Sequence, residues 1–453
     1  MATKIGRTGT SSTNATKFTW SAWVKRANIG SDGMLYYNYL DGNNRGYLQF
    51  LSNDKLYYYD KDGGDEQANL TTTAVYRDPN AFYHICLIGD STDGTQGDRI
   101  QLYVNGVRQT MTGTYPDQND SLGTKVHTGT NYHVLGTNSD STSNPFLGIM
   151  SHVHYVDGID YPATTFGSTD ATTGEWKINA SPSISTSDYG NNGYFVLKDG
   201  NSVTDQSGNS HNFTVTAGTL TKTEDNPSNI FCTMNPLMNY SNGTPLFNLG
   251  NNRIRGGGSA WLKSIGTLGN RTGKFYYEAK INTYYGDGRP VRIGWDSIDL
   301  PRTGTTTYYS GFNISSDGFI RGGVKGVDAY DPNATSLGGS FTGGDFLGFA
   351  IDLDNDLITC YKNGTVFSNV NGLDISGNTN CSIKNSRGHQ VSPSCNWYAT
   401  NDSDNIIDFN FGNGVFGDTQ LTGTTYNDSQ GNGIFKYQPP ANYLCWSTKS
   451  FNV

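Results

Sequence analysis

The stretch Gly344-Asp-Phe-Leu-Gly-Phe-Ala-Ile-Asp-Leu-Asp-Asn-Asp-Leu-Ile-Thr-Cys-Tyr-Lys-Asn-Gly364 limits the fold more than any other. Phe346 to Ile351 form a short apolar run, Asp352 to Asp356 interrupt it, Leu357 to Tyr361 begin another, and Asn363-Gly364 closes that one with a type I′ turn signal. It reads as strand, turn, strand, turn. The same device ends Ile100-Gln-Leu-Tyr-Val-Asn-Gly106, where Ile100, Leu102 and Val104 share one face. Two such hairpins so far apart predict two sheet domains.

Composition agrees. Of the 40 acidic residues only Glu66, Glu175, Glu224 and Glu278 are glutamates, and Gly reaches 57 among crowded Asn, Ser, Thr and Asp. Glu favours helix and Asp favours turns, so the bias predicts strands joined by many turns and few helices. At 453 residues the chain exceeds one compact core. The expected fold is all-β, two antiparallel β-sandwiches of jelly-roll type in tandem.

Net charge −9, with 31 Lys plus Arg and no basic cluster, argues against a nucleic-acid partner. No run of about 18 apolar residues is present, so membrane insertion is not expected. Met1 to Gly9 lack the apolar centre of a secretory signal, and synthesis in the cytoplasm without a signal peptide is the expectation. The six cysteines show no Cys-x-x-Cys spacing; Cys86 and Cys360 read as buried free thiols.

Residues 1–17 are small and polar and predict an arm that orders only against a neighbour. Phe18 to Arg26 alternates Phe18, Trp20, Ala22 and Val24 against Thr19, Ser21, Trp23 and Lys25, as a half-buried strand does. Further strands are predicted at Met34 to Leu40, Gly46 to Leu51, Lys55 to Tyr59, Phe82 to Gly89 and Ile100 to Val107, and a strand pair at Phe146 to Val156. The domains are expected at 18–217 and 230–453, the latter with a C-terminal extension, joined by a linker at 218–229.

Phe18 to Arg26, Phe82 to Gly89, Leu102-Tyr-Val-Asn-Gly106 and Gly148 to Val156, followed by Asp205-Gln-Ser-Gly-Asn209, resemble the laminin-G or concanavalin-like jelly roll over about residues 15–217. Gly273-Lys-Phe-Tyr-Tyr-Glu-Ala-Lys-Ile281, Val291 to Asp296, Ser310-Gly-Phe312, Gly344 to Asp354 and Tyr361-Lys-Asn-Gly364 stand in the order of a SPRY domain. Its flanks, Asp225 to Leu237 before, and Phe409-Asn-Phe-Gly412 with Phe435 to Asn452 after, are similar to sequences framing SPRY domains in virion structural proteins of marine tailed bacteriophages. That resemblance implies a protein on the virion surface, in a tail appendage or fibre or decorating the capsid. The implied partners are other virion proteins, a host cell-surface glycan or protein, and further copies of the chain in a homo-oligomer.

Enzymatic alternatives need specific constellations. Glycoside hydrolysis needs two carboxylates facing each other about 5–9.5 Å apart, and the four glutamates are solitary. Glu278 has Lys280 two residues on, which predicts an ion pair. A polysaccharide-degrading virion enzyme and a purely structural packing protein stand as the alternatives to a non-enzymatic adhesin. No cofactor is expected. Asp205 and Asn209 leave room for a structural calcium, although the same side chains capping their own backbone account for them equally well. Asp352 to Asp356 lacks the glycine and the twelfth-position carboxylate of an EF-hand and reads as a turn. His152 and His154, two apart on a strand, would share a face but lack a third ligand nearby, and no metal site is assigned. Gly412-Asn-Gly-Val-Phe-Gly417 has dinucleotide-loop spacing with no βαβ unit around it, and reads as a turn.

The positive signal is aromatic. Tyr36, Tyr37 and Tyr39, then Tyr57, Tyr58 and Tyr59, then Tyr284 and Tyr285, then Tyr308 and Tyr309, cluster where strand alternation exposes at least one ring per cluster. Such rings, beside Asn and Asp, suit sugars and polar protein surfaces. Tyr36, Tyr37 and Tyr58 are the ligand-binding candidates of the first domain. The SPRY resemblance, through loops at one end of the sandwich, adds Tyr284, Tyr285, Asp287, Arg289 and Trp397.

Overall fold

The computed structural model describes residues 3–122, 132–138, 143–198, 202–238, 243, 245–257, 260–284, 286, 290–299, 311–322, 335–377, 381, 383–385 and 388–451. The chain divides into two compact units, one of Met1–Lys222 with Asn226–Ser228, the other of Thr223–Asp225 with Asn229–Val453. Helix among the described residues amounts to Thr448–Phe451, the single 3₁₀ turns Gln96–Asp98 and Ala163–Thr165, and Asn385 in 3₁₀ conformation. None is long and apolar enough to cross a membrane.

In the first unit an eight-stranded antiparallel sheet runs in the order Met111–Thr114, Asp65–Thr72, Leu56–Asp62, Asn44–Phe50, Gly33–Asp41, Tyr132–Leu135, Lys4–Thr8, Thr214–Ala217. A second sheet runs Tyr194–Val196, Gly148–Asp157, Lys17–Arg26, Tyr83–Asp90, Ile100–Val104, Val107–Arg108. Trp20, Leu35, Tyr36, Leu48, Tyr58, Leu87, Leu102 and Tyr155 belong to the core they enclose.

Three expectations are corrected here. Residues 1–17 are not a free arm: Lys4–Thr8 lies inside the larger sheet, paired with Tyr132–Leu135 on one side and Thr214–Ala217 on the other. A strand hydrogen-bonded along both edges is fixed by its backbone, and Ile5 adds a single apolar side chain to the core. Lys17–Arg26 is not half-buried. Thr19, Ser21, Trp23 and Lys25 are buried as fully as the core side, because residues 159–190 and the hairpin Gly167–Thr169 with Trp176–Ile178 cover that face. Phe146 to Val156 is not a strand pair. It contributes the single strand Gly148–Asp157, bulged between Ser151 and His154, where His152 takes φ +50.

In the second unit one sheet orders Leu246–Asn248, Arg253–Arg255, Ile407–Asn410, Lys274–Ile281, Phe346–Asp352, Leu357–Lys362, Thr365–Val366. The other orders Ala260–Ile265, Val391–Ala399, Arg292–Ser297, Phe312–Ser315, Phe319–Gly322, Thr335–Ser336. Tyr277, Trp295, Phe349, Trp397, Phe409 and Trp446 belong to its core.

Both Asn-Gly turns form as their sequences require, with φ +49 and +75 at Asn105-Gly106 and +50 and +82 at Asn363-Gly364. Each glycine also admits an aromatic ring. A Cβ on Gly106 would stand 2.4 Å from the Trp176 ring, and one on Gly364 would stand 2.8 Å from the Tyr437 ring. All six cysteines are buried thiols outside any disulfide.

Candidate functional site

Strand period decides where the predicted tyrosines go. On Gly33–Asp41 and Leu56–Asp62, Tyr36 and Tyr58 point between the sheets and are fully buried, so neither offers a ring to a ligand. Their neighbours Tyr37, Tyr39, Tyr57 and Tyr59 take the opposite face. Tyr37 does lie on that outward face, yet it is 5% exposed, packed among Met34, Val134, Tyr39 and Tyr47. Trp397 is likewise a core residue, 0% exposed, and its neighbours Asn396 and Tyr398 take the other face. Tyr284 is half-buried against the second core. Tyr285, Asp287 and Arg289, with Tyr308 and Tyr309, lie outside the described residues.

What emerges on the outward face of the eight-stranded sheet is a continuous row. Tyr37 stands directly opposite Tyr47, and Tyr47 opposite Tyr59. Their rings stack across the three strands at centroid separations of 5.2 Å and 5.2 Å. Tyr57 meets Tyr47 edge-on at 5.9 Å, and Tyr39 flanks Tyr37 at 5.8 Å. Tyr132 lies opposite Tyr39 and is 47% exposed. Polar groups border the row: Arg45 lies 5.6 Å over Tyr59, Gln49 is opposite Tyr57, and Asn69 is opposite Tyr59. Because the three stacked rings turn their faces to one another, each ring offset pair contributes about 0.5–1.5 kcal/mol to order on that face. Burial raises the phenol pKa of both Tyr47 and Tyr57, so their hydroxyls stay neutral and able to donate.

Sequence reasoning missed Tyr47 and Tyr132, which are isolated in the chain. The signal for Tyr47 is hairpin register: Asp41 pairs with Asn44, and counting back through the bulge at Leu40 sets Tyr47 opposite Tyr37. Nothing local marks Tyr132.

The outer face of the smaller sheet is closed instead. His84 sits there between Ser21 and Trp176, its Nε2 2.9 Å from the Ser21 hydroxyl and its Nδ1 accepting the Trp176 indole N–H at 3.1 Å. An indole can only donate, so His84 is a neutral imidazole protonated on Nε2, and burial holds its pKa down at about 3.

The acids that a catalytic reading would use are engaged structurally. The expected Glu278–Lys280 ion pair is replaced by another arrangement. Glu278 is buried, and its carboxylate accepts the backbone N–H groups of Lys436 and Tyr437, the Asn410 amide at 3.1 Å and the Tyr276 hydroxyl at 3.3 Å. Lys280 lies 5.5 Å over the Phe346 ring. Desolvation raises Glu278 to about 7 against these four donors. Asp205 accepts from the N–H groups of Phe195, Ser207 and His211 and from the Ser207 hydroxyl, and Asn209 donates to the Gly190 carbonyl. These are the bonds of a capped turn. Asp352 accepts from Asp354 and Asn355 within its turn and pairs with Lys274 at 2.8 Å. His154 is buried against Phe195 and bonded to the Tyr189 hydroxyl, whereas His152 occupies the bulge, so the two do not form the side-by-side pair that a regular strand would give. Among the described residues no group of three His, Cys, Asp or Glu side chains is placed to hold a metal. The Gly412 to Gly417 segment is a turn leading into the short strand Val415–Phe416.

Residues 4–159 match a family model described as Laminin_G_3, Concanavalin A-like lectin/glucanases superfamily. No curated protein matches the chain. Among solved structures, the SPRY domain of human HERC1 is 14% identical with a TM-score of 0.29, covering 39% of this chain and 96% of that one. A putative carbohydrate binding protein from Bacteroides ovatus is 15% identical with a TM-score of 0.32, over 48% and 58% of the two chains. A heptameric SAP-like pentraxin from Limulus polyphemus is 13% identical with a TM-score of 0.26, over 34% and 69%. The described residues are almost entirely β, in antiparallel sheets joined by one short parallel pair of Phe275 and Tyr276 with Leu444 and Cys445, and over residues 4–159 the chain is similar to the concanavalin A-like lectins and glucanases.

Proposed function

We propose that this chain is a non-enzymatic adhesin of a tailed-phage particle, holding host glycan on the tyrosine face of its first domain. One observation carries the reading. Of the two outer faces of that sandwich, the smaller sheet's is covered by residues 159–190, while the larger sheet's carries Tyr39, Tyr47, Tyr57, Tyr59 and Tyr132, each partly or well exposed. An aromatic row bordered by Arg45, Gln49 and Asn69 gives apolar area at low entropy cost with hydroxyl and amide groups beside it, which suits a sugar polymer.

A binding role rather than cleavage is supported by the engagement of Glu278, Asp205 and Asp352 in structural hydrogen bonds. The superfamily description names both lectins and glucanases, and the acids of this chain side with the former. The particle setting rests on the resemblance of the segments around 225–237 and 409–452 to phage virion proteins. There the chain associates with other virion proteins and with further copies of itself. The edge strand Thr214–Ala217, with Val215 43% exposed, is a place for such pairing.

The test is direct. Labelled chain is applied to host cells with and without enzymatic removal of surface polysaccharide, and antibody against the chain is imaged on intact particles. Binding that follows the polysaccharide, with label on the particle surface, supports the reading. Polysaccharide cleavage by the purified chain, or its absence from particles, overturns it.

A further inference from the structure

On the outward face of the first domain's larger sheet, hydrogen-bonding side chains stand in two parallel rows that cross four strands. One row sets Tyr47 opposite Tyr59, Tyr59 opposite Asn69, and Asn69 opposite Thr114. The other sets Gln49 opposite Tyr57, Tyr57 opposite Thr71, and Thr71 opposite Thr112. Each of these side chains ends in a hydroxyl or an amide, and none carries a charge. The charged Arg45, Lys61 and Glu66 face one another in register to one side, beyond Tyr47 and Tyr59. Gln49 is largely buried, and the rest of the two rows is half-buried or exposed. Neighbouring strands lie about 4.8 Å apart and same-face residues about 6.8 Å apart along a strand, so the uncharged patch is about 14 Å long and about 7 Å wide.

The stacking decides what the rings present. Tyr47 has Tyr37 against one face and Tyr59 against the other, each at 5.2 Å, so no sugar can stack on it. Strand side chains stand roughly perpendicular to the sheet, and what Tyr47 turns outward is its ring edge and its phenol oxygen. Burial keeps the Tyr47 and Tyr57 hydroxyls protonated, so each can donate as well as accept. Resting on the assignment of this face to glycan, we propose that it reads the hydroxyl groups of an extended, equatorially linked, uncharged pyranose chain of about four sugars, laid across the strands with one sugar per strand. Such a chain advances by close to one strand spacing per sugar and carries hydroxyls along both of its edges, so it meets both rows at once. An extended peptide repeats its same-side groups about every 6.8 Å, out of step with rings spaced at 5.2 Å. A chain with axial links curves away from a straight row.

Calorimetric titration of the full chain with cellotetraose, whose links are equatorial throughout, tests it. Cellobiose, which is too short, and maltotetraose, which has an axial bond at each link, are the comparisons. The expected result is saturable cellotetraose binding that changes little with salt and is at least about tenfold tighter than that of either comparison. Tyr59→Phe keeps the stacked ring and removes one hydroxyl from the first row, and Thr71→Val removes one from the second. Each is expected to weaken cellotetraose binding about fivefold, with the thermal midpoint confirming that the variant folds. The proposal is overturned if cellotetraose does not bind at about millimolar concentration, if cellobiose or maltotetraose binds as tightly, or if either folded variant binds as tightly as the native chain. After any of these results the glycan reading of the face still stands where Tyr47→Ala loses host polysaccharide. Polysaccharide binding that is indifferent to Tyr47→Ala overturns that reading and this proposal with it.

Discussion

The Glu278 carboxylate accepts the backbone N–H of Tyr437 at 2.8 Å, and its other oxygen accepts that of Lys436 at 2.9 Å, so one buried side chain fixes the path of the C-terminal segment. That segment places Phe435 and Cys445 against Tyr276 and Ala350 on the outside of the sheet. All four groups meeting Glu278 donate, and the Asn410 amide cannot turn because its Oδ1 accepts from Gly412 and Gly414. Glu278→Gln therefore sets an amide N–H₂ against donors. The expected loss is about 1–3 kcal/mol in chemical denaturation, with faster hydrogen exchange at Lys436 and Tyr437. Unchanged exchange at both amides would contradict this.

Glu278 also gives a signed pH dependence. Its pKa in the folded chain, about 7, lies above the ordinary 4.5, so the folded state holds this proton more tightly than the unfolded one. Its contribution is fully present below 4.5 and is lost as pH rises through 7, by up to about 3 kcal/mol. The stability gap between the native chain and Glu278→Gln is thus expected to narrow between about pH 5 and about pH 8 in paired urea titrations. A gap that widens over that range would mean the four donors outweigh desolvation.

His84 acts in the opposite direction. Its folded pKa of about 3 lies below the ordinary 6.5, so its contribution is complete above 6.5 and is lost as pH falls towards 3. The ring is expected to show no titration near neutrality by NMR, and Trp176→Phe, which leaves Nδ1 without its donor, costs about 1–2 kcal/mol. A ring that titrates between about pH 6 and 7 would show that the Trp176 hairpin does not seal it.

Trp397 and Tyr398 are consecutive and aromatic, and the structure assigns them opposite faces. Trp397→Ala is expected to cost about 3–5 kcal/mol by opening a cavity, against about 1 kcal/mol or less for Tyr398→Ala on its half-buried side. Thermal unfolding of the two variants checks the strand's parity, and equal losses would refute it.

That parity marks where sequence reading succeeds and where it stops. The Asn-Gly turns, the alternation in Lys17–Arg26, the short apolar run of Phe346–Asp352 and the shortage of Glu were enough to read an all-β chain with its hairpins in place, because turn chemistry and strand patterning are local. Which member of a tyrosine cluster faces out was not legible. Tyr36 and Tyr37 carry the same side chain, and the choice depends on which face meets the other sheet. The covering segments around 159–190 and 435–445 have no periodic pattern, so neither the burial of Trp23 nor the capture of Glu278 could be read ahead. Lys4–Thr8 resembled an arm because its order comes from backbone bonds to strands far along the chain.

The most direct test of the central claim is the affinity of the full chain for host surface polysaccharide, compared with that of Tyr47→Ala and Tyr59→Ala. Tyr47 is the middle ring of the row, so its removal separates Tyr37 from Tyr59. A tyrosine face that holds the glycan predicts at least a tenfold loss of affinity in Tyr47→Ala, about 1.4 kcal/mol or more, and a smaller loss in Tyr59→Ala, with both variants folded. Undiminished binding in both folded variants would contradict it.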